Sequence, residues 1–249
     1  MKPPDYNNYF GGKREILQAL FKSTFCVMVL AYIFYRSWWA VLFLLPVGAG
    51  IFVKEIKRRI KGYREQLALE FKECILSVAA SLKAGYSVEN ALMESMGDMK
   101  RMYGPDSLIY KELEIISRGL IINIAPEELF ADLGRRSANE DICRFAEIFR
   151  IARSNGGNLP EIIGGTALMI SNKTEVRAEI RATLSGRMLE QKVMRIMPLG
   201  ILLYIEFSTP GYFASLYHNP GGIGIMTLCL GIYIVGYLWG ERVMDNIFS

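Results

Sequence analysis

The sequence predicts an all-α integral membrane protein with about four transmembrane helices and one cytoplasmic antiparallel bundle of about six helices. Three observations predict this class. Hydrophobic residues make up 51% of the 249-residue chain, and long apolar stretches lie near both ends. The middle of the chain repeats apolar residues at the three- and four-residue steps of amphipathic helices. No convincing strand pattern interrupts that middle.

The N-terminal apolar region is long enough for a transmembrane hairpin. The stretch from Ile16 to Val53 is interrupted mainly by Lys22 and by Arg36-Ser37. One span needs about 20 residues, so residues 16–53 predict two short spans that turn near Arg36. A cleaved signal peptide fits less well, because its apolar run covers only about 7–15 residues. The two predicted spans are Leu17–Tyr35 and Trp38–Val53.

A second transmembrane hairpin is predicted over residues 195–240. Its two apolar runs are Ile196–Tyr217 and Ile223–Gly240, and residues 218–222 join them. The joining segment contains His218, Pro220 and two glycines, which suits a turn between helices.

Basic residues beside the first hairpin predict its orientation. Cytoplasmic segments next to membrane helices carry an excess of Lys and Arg. Residues 54–64 hold the main group, against Glu55 alone: Lys54, Lys57, Arg58, Arg59, Lys61 and Arg64. We therefore expect a multi-pass membrane protein with the tails (1–15 and 241–249) and the middle in the cytoplasm.

The net charge of +4 does not predict nucleic-acid binding. The middle of the chain is slightly acidic, and the positive balance sits beside the membrane, where it favours contact with anionic lipid headgroups. A nucleic-acid site would need a basic face with aromatic side chains for stacking, and no such face is evident. The bilayer is therefore an expected partner and nucleic acid is not.

Residues 65–194 predict six helices separated by short turns. Gly85 and Ser87 mark the first turn, Gly104-Pro105 the second, and Pro126 suits the first turn of the fourth helix. Asp106 is predicted to cap the third helix. Ser137 and Glu140 predict a capping box for the fifth. The last helix, starting after Asn158, is expected to run past Met194 into the membrane.

Several of these segments together resemble the type II secretion system F-domain family, in particular the TadB/TadC membrane proteins of tight-adherence (Flp) pilus machines. The similar segments are Leu82–Leu92 (LKAGYSVENAL), Ser154–Leu159 (SNGGNL) and the outer turn that begins Pro210-Gly211-Tyr212-Phe213. The resemblance covers about Glu65 to the C-terminus.

This resemblance implies a function and partners. Members of the family are platforms in the bacterial inner membrane that serve type IV pilus-like or type II secretion machines. The implied partners are a cytoplasmic secretion ATPase, a prepilin or pilin, and a paralogous F-domain protein or a second copy of the chain. Relatives in type IV pili and type II secretion carry two F domains, whereas this chain has one at residues 65–194, which suggests a dimer or a paralogue.

The glycine turns at Gly85 and at Gly156-Gly157 are not phosphate-binding loops, because neither is followed by Gly-Lys-Ser/Thr. We interpret them as helix stops that also shape a surface for a partner. Arg135, Arg136 and Arg153 flank the fifth helix and are candidate contacts for the ATPase, although arginines on a helical bundle are commonly only solvated.

Glu206 is the single acidic residue in a predicted span. It follows Arg195 by 11 positions, which is about 16 Å of helix and places it near mid-bilayer. One interpretation is that it contacts the apolar helix of a passing pilin. The alternatives are that Pro210-Gly211 ends the helix early and leaves Glu206 near the outer interface, or that it is protonated or hydrogen-bonded within the helices.

The sequence predicts no catalytic residues, no metal ligands and no cofactor, and the protein is expected not to be an enzyme. The four cysteines are scattered, and His218 is too isolated for a histidine-centred metal site. A small membrane transporter or channel subunit remains the alternative function, since four spans are compatible with it.

Overall fold

The structure is a computed structural model that describes residue 6 and residues 13–35, 39–154, 158–209, 211–212 and 220–247. In these residues the regular secondary structure is helical, which confirms the predicted all-α class. The helices are α1 (Lys13–Tyr35), α2 (Trp39–Lys83), α3 (Val88–Tyr103), α4 (Leu108–Ile121), α5 (Pro126–Ser137), α6 (Glu140–Ser154), α7 (Leu159–Ser208) and α8 (Pro220–Ile247).

The chain divides into two compact units. Unit 1 comprises Met1–Gly12 and Ile56–Glu179, and unit 2 comprises Lys13–Glu55 and Ile180–Ser249. Helices α2 and α7 each contribute residues to both units. The basic segment 54–64 and the predicted second span are therefore parts of one continuous helix, α2, which also passes through Pro46.

Six helical segments surround the core of unit 1. They are the second part of α2, helices α3 to α6, and the first part of α7. Four phenylalanines pack at the centre of this core, with ring centroids 5.0–5.9 Å apart: Phe71, Phe130, Phe145 and Phe149. Aliphatic side chains at helical spacing complete it, including Leu67, Ile75, Leu92, Ile109, Ile116, Leu133 and Ile163.

Tyr6 also belongs to this core, although it precedes every helix in the sequence. Its side chain is 1% exposed and lies in the same apolar cluster as Phe71 and Leu133. Its backbone is held on both sides, because Tyr6 N donates to Arg136 O at 3.0 Å and Arg64 Nε donates to Tyr6 O at 3.2 Å. The segment interpreted from sequence as a tail thus supplies a core residue of unit 1.

The start of α6 differs from the predicted capping box. Ser137 is the last residue of α5, and Asn139 caps α6, because Asn139 Oδ1 accepts from Asp141 N at 2.9 Å. Between them Ala138 has φ 47°, a left-handed conformation that reverses the chain within two residues. The serine–glutamate spacing of a capping box was present, but an asparagine nearer the helix provided the better acceptor.

Two other predicted caps had different outcomes. Ser87 Oγ accepts from Asn90 N at 3.3 Å and caps α3, as predicted. The predicted cap of α4 at Asp106 is wrong by one residue, since Ser107 occupies the N-cap position. Instead, a side chain of another helix binds the first turn of α4: Glu70 Oε2 accepts from Ile109 N at 2.9 Å.

Unit 2 contains α1, the first part of α2, the last part of α7, and α8. Lys22 and Glu55 form an ion pair at 3.0 Å, and Val27 lies so close to Gly48 that a Cβ there would come within 2.8 Å of it. Because the residue number rises along α1 as it falls along α2, the two segments are antiparallel. Their apolar faces form a cluster with α8: Val27, Leu30, Ala31, Ile33, Phe34, Leu44, Met226 and Leu230.

Two helical segments in the described residues are long and apolar enough to cross a membrane, Arg14–Tyr35 and Gly221–Gly240. The predicted span Ile196–Tyr217 is helical only to Ser208, and most of its remainder lies outside the described residues. The finding supports a membrane protein, and the count of four spans is not confirmed and stays a prediction.

Replacing Tyr6 by alanine should destabilise unit 1. Removing a buried aromatic ring costs about 3–5 kcal/mol, whereas Tyr6→Phe keeps the ring and serves as the control. Cys74 is 1% exposed in the same core, so maleimide labels it only when unit 1 opens. Labelling of Cys74 in the detergent-solubilised chain is measured by peptide mass spectrometry and should be faster in Tyr6→Ala. Equal labelling of Cys74 in both variants would show that Tyr6 does not stabilise the core.

Cys74 also predicts an alkaline limit to stability. Burial raises the pKa of this thiol to about 12, against a smaller lowering by its hydrogen bond with Ser95. The unfolded thiol titrates near pH 8.5, so above that pH the unfolded state loses a proton that the folded state keeps. Stability should therefore fall by up to about 1.4 kcal/mol per pH unit. Cys74→Ala should flatten this slope in melting curves measured from about pH 8.5 to 10.5, a range that lies between the two pKa values, and an unchanged slope would contradict the assignment.

Candidate functional site

Two turns of unit 1 and the last residues of α6 lie at one end of the helices, which we call the turn end. The turns connect α2 to α3 (84–87) and α4 to α5 (122–125), and α6 ends there at Ser154. Arg153, in the last turn of α6, joins them: its guanidinium lies 3.5 Å from Glu89 in the first turn of α3 and 3.4 Å from Glu127 in the first turn of α5. In α7, Gly164 lies beside Ala79 and Lys83 of α2.

Large apolar side chains are exposed at the turn end. Ile121 and Ile122, where α4 ends, are 71% and 70% exposed, and Tyr86 in the first turn is 51% exposed. Water solvates such side chains poorly, and an apolar group rimmed by charges is typical of a protein-binding surface. The charges beside these residues are those of Glu89, Glu127 and Arg153.

Gly85 permits the first of these turns. Its φ is +93°, and a Cβ added there would meet nothing within 4 Å. The glycine is therefore required by the backbone conformation and not by close packing. Gly85 N donates to Leu82 O and Tyr86 N to Ser81 O, which closes the end of α2. Gly156 and Gly157 were predicted to act in the same way, and they lie outside the described residues.

Arg136 lies at the opposite end of unit 1 and serves an internal ion pair. Its guanidinium donates to both oxygens of Glu112, at 2.9 and 2.7 Å, and to Asp132 Oδ2 at 2.6 Å. The Glu112 side chain is 0% exposed. Burial disfavours the charge on Arg136, but the hydrogen bonds from Glu112 and Asp132 outweigh it and raise the pKa of Arg136 above its ordinary value.

The predicted arginine group is thus divided between the two ends. Arg153 is at the turn end with Gly85, whereas Arg135 and Arg136 are at the end where Tyr6 is bound. Arg135 has a 79% exposed side chain, 3.8 Å from Asp132, and it remains accessible to a partner. Arg136 is 12% exposed, and its charge is already neutralised by two carboxylates.

Two buried carboxylates, Glu112 and Glu70, were not predicted from the sequence to be site residues. Glu112 falls on the apolar stripe of α4 between Ile109 and Leu113, and Glu70 falls on the stripe of α2 beside Phe71. A carboxylate on a buried face needs a cation or backbone N–H groups, so each position was a signal that could have been used. Glu127, which contacts Arg153, was not predicted as a site residue either.

Glu206 lies two residues before the end of α7 at Ser208, and its side chain is partly buried. Thr209 N still donates to Ile205 O, and Tyr212 N donates to Thr209 O just after the helix. Whether Glu206 lies at mid-bilayer or near the outer interface stays a prediction. Of the topology-determining residues, Lys54, Lys57, Arg58 and Lys61 are exposed on α2, while Arg59 and Arg64 are partly buried.

Comparisons of the chain with protein-family models, with curated proteins and with solved structures found no match. The resemblance to the F-domain family therefore rests on the turn motifs and the helix pattern alone. Among the described residues, no group of three or more His, Cys, Asp and Glu side chains is placed to hold a metal ion.

The adjacent residues Arg135 and Arg136 allow a matched comparison of an exposed arginine with a buried, ion-paired one. Arg136→Ala leaves Glu112 buried without its cation and should cost about 3–5 kcal/mol. Arg135→Ala changes an exposed side chain and should stay within about 0.5 kcal/mol. Thermal unfolding of both full-length variants in the same detergent measures the difference. Equal melting temperatures would mean that the Glu112–Arg136 pair does not stabilise unit 1.

Proposed function

We propose that this chain is a non-enzymatic platform subunit of a type IV pilus-like (Tad/Flp) or type II secretion machine in the bacterial plasma membrane. Unit 2 would be embedded in the bilayer and unit 1 would lie in the cytoplasm and bind the secretion ATPase. The observation that carries this proposal is the turn end, where the Gly85 turn, part of a motif that resembles the F-domain family, lies at the same end of unit 1 as exposed apolar side chains.

The exposed surface of unit 2 supports its insertion in a membrane. Many large apolar side chains on α1, the last part of α7, and α8 are more than half exposed, among them Phe21, Phe25, Ile196, Tyr204, Phe207, Leu228, Ile232 and Trp239. An apolar surface on that scale is unfavourable in water and is the normal surface of helices in lipid. Two of these helices meet the length and apolarity of a span.

Tyr6 supports a return crossing by the first part of α2. Tyr6 is packed in unit 1, and the chain re-enters unit 1 at Ile56. Both points are therefore on the same side of any membrane. If α1 crosses the bilayer, residues 36–55 must cross it back, and the antiparallel contacts of Lys22 with Glu55 and of Val27 with Gly48 suit such a hairpin.

The charges of α2 support a cytoplasmic position for unit 1. The basic residues Lys54, Lys57, Arg58, Arg59, Lys61 and Arg64 follow the hairpin at the point where α2 enters unit 1. Lys and Arg are retained on the cytoplasmic side of membrane helices. Four spans with both termini in the cytoplasm are the simplest topology with this bias.

In this proposal the ATPase binds the turn end, and a pilin helix and a paralogous subunit or second copy meet unit 2. The turn end offers apolar anchors surrounded by charges, which is the composition of protein interfaces with a few dominant residues. Movement imposed there would pass to the membrane helices through α2 and α7, which contribute to both units.

Co-purification tests this assignment. The full chain, tagged and extracted in mild detergent, should bring a secretion-type ATPase with it. Ile121→Asp combined with Ile122→Asp should lower ATPase recovery at least about tenfold, since each of two anchors commonly contributes more than about 1 kcal/mol. The matched control is Met102→Asp with Val176→Asp, which changes side chains that are 59% and 54% exposed elsewhere on unit 1.

The outcomes separate the parts of the proposal. Absence of any ATPase from the wild-type preparation, under conditions that keep other membrane complexes intact, would contradict the platform function. Recovery by the wild type and equally by the Ile121/Ile122 variant would keep the platform function and move the docking surface away from the turn end.

A further inference from the structure

Charged residues limit the apolar length of the α1–α2 hairpin. The Lys22–Glu55 pair at 3.0 Å joins both helices at one end, and Arg36 follows the last residue of α1 at the other. Between Lys22 and Tyr35 the helix rises only about 20 Å. From Lys54 back to Trp39, α2 rises about 22 Å.

The last part of α7 has the same short apolar length. Arg195 is its last basic residue, and the helix ends at Ser208, a rise of about 20 Å. Three helical segments of unit 2 therefore have apolar lengths that agree within a turn.

The charged ends of these helices lie at one level. Tyr35 OH lies 2.9 Å from Thr227 Oγ1, and Tyr233 is near Cys26, so α1 and α8 are antiparallel. Lys22 is one turn before Cys26 and Tyr237 is one turn after Tyr233, so Lys22 lies at the level of Tyr237. Arg195 is at this level too, because its guanidinium is 5.2 Å from the Tyr237 ring centroid. We call Lys22, Glu55 and Arg195 the charged belt.

The belt is the natural boundary of the apolar layer. If α1 crossed the membrane from Arg14, the Lys22–Glu55 pair would lie about 12 Å inside the hydrocarbon, and Lys54 and Lys57 would be drawn in with it. Lys22 and Arg195 are already bound to partners within unit 2, which limits their reach toward a more distant headgroup layer.

An ordinary bilayer has a hydrocarbon core of about 30 Å, so the belt leaves these helices roughly 8–10 Å short of it. The α8 span Gly221–Gly240 is longer, and a longer helix fits a thinner layer by tilting. We propose that unit 2 is matched to a phospholipid bilayer with a thin hydrocarbon core and thins the membrane around it. The inference rests on the membrane insertion in the proposed function and does not depend on the ATPase.

Reconstitution into phosphatidylcholine vesicles of different thickness tests the match. The full chain in dimyristoleoyl, dioleoyl and dierucoyl vesicles should melt highest in the thinnest bilayer, with a fall of about 5–10 °C toward the thickest. Lys22→Leu combined with Glu55→Leu extends the apolar part of α1 alone to about 30 Å, while Lys54 and Arg195 still limit α2 and α7. This variant should therefore show a smaller fall in melting temperature toward the dierucoyl vesicles than the wild type. Lys22→Arg with Glu55→Asp keeps the pair and should behave as the wild type.

A wild-type optimum in the dioleoyl or dierucoyl vesicles, or equal melting temperatures in the three bilayers, would overturn the thin-bilayer match. Extraction of the chain from native membranes by alkaline carbonate is a separate measurement. Release into the soluble fraction would refute membrane insertion itself, and the thin-bilayer match with it. Retention together with a thick-bilayer optimum would overturn the match alone.

Discussion

The packing of Tyr6 in unit 1 is the constraint on which the topology depends. Tyr6 precedes the first apolar helix, yet it is packed in a core formed by residues that follow the second apolar segment. Its backbone is held there by Arg64 Nε and Arg136 O. No membrane can pass between two parts of one packed core. The basic residues of α2 give a statistical preference for one side, whereas this contact makes the return of the chain a geometric requirement once α1 is inserted.

The two ends of unit 1 use their charges differently. At the Tyr6 end, Arg136 and Glu112 are buried together, and charge there maintains the arrangement of α4 and α5. At the turn end, Arg153 makes longer contacts with Glu89 and Glu127, all three partly exposed, beside apolar residues that have no core to fill. A buried bidentate ion pair is costly to break. Long ion pairs at a surface contribute little to stability, so their side chains can form new ion pairs with a binding partner at low cost. This contrast is why we place the docking surface at the turn end.

The charges of unit 2 argue for a platform over a transporter. A conduction path would need polar or ionisable residues through the apolar layer, facing one another. In the described part of unit 2, Lys22, Glu55 and Arg195 share one level, and Glu206 lies near the end of α7. Charges at the ends of helices set the depth of a protein in the bilayer. In the proposed function, a thin apolar layer would shorten the distance over which a pilin helix leaves the lipid.

Much of this fold was predictable because its signals are local. Apolar spacing, Gly85, Ser87 and Pro126 act through their own turns, and the all-helical class and the cap of α3 follow from them. The cap predicted at Ser137 was wrong because Asn139, which is nearer the helix, accepts from the Asp141 N–H. The cap predicted at Asp106 was wrong because Glu70, which is far away in sequence, accepts from the Ile109 N–H. The candidate site was predictable only in part for the same reason. Arg153 was predicted as a site residue. Glu89, Glu127 and the two isoleucines become a surface with it only because α3 and α5 begin where α4 and α6 end, which depends on how the helices pack around the Phe71 core. Tyr6 is the extreme case, since nothing in its neighbouring residues indicates that its partners lie more than 50 positions away at Arg64 and Arg136.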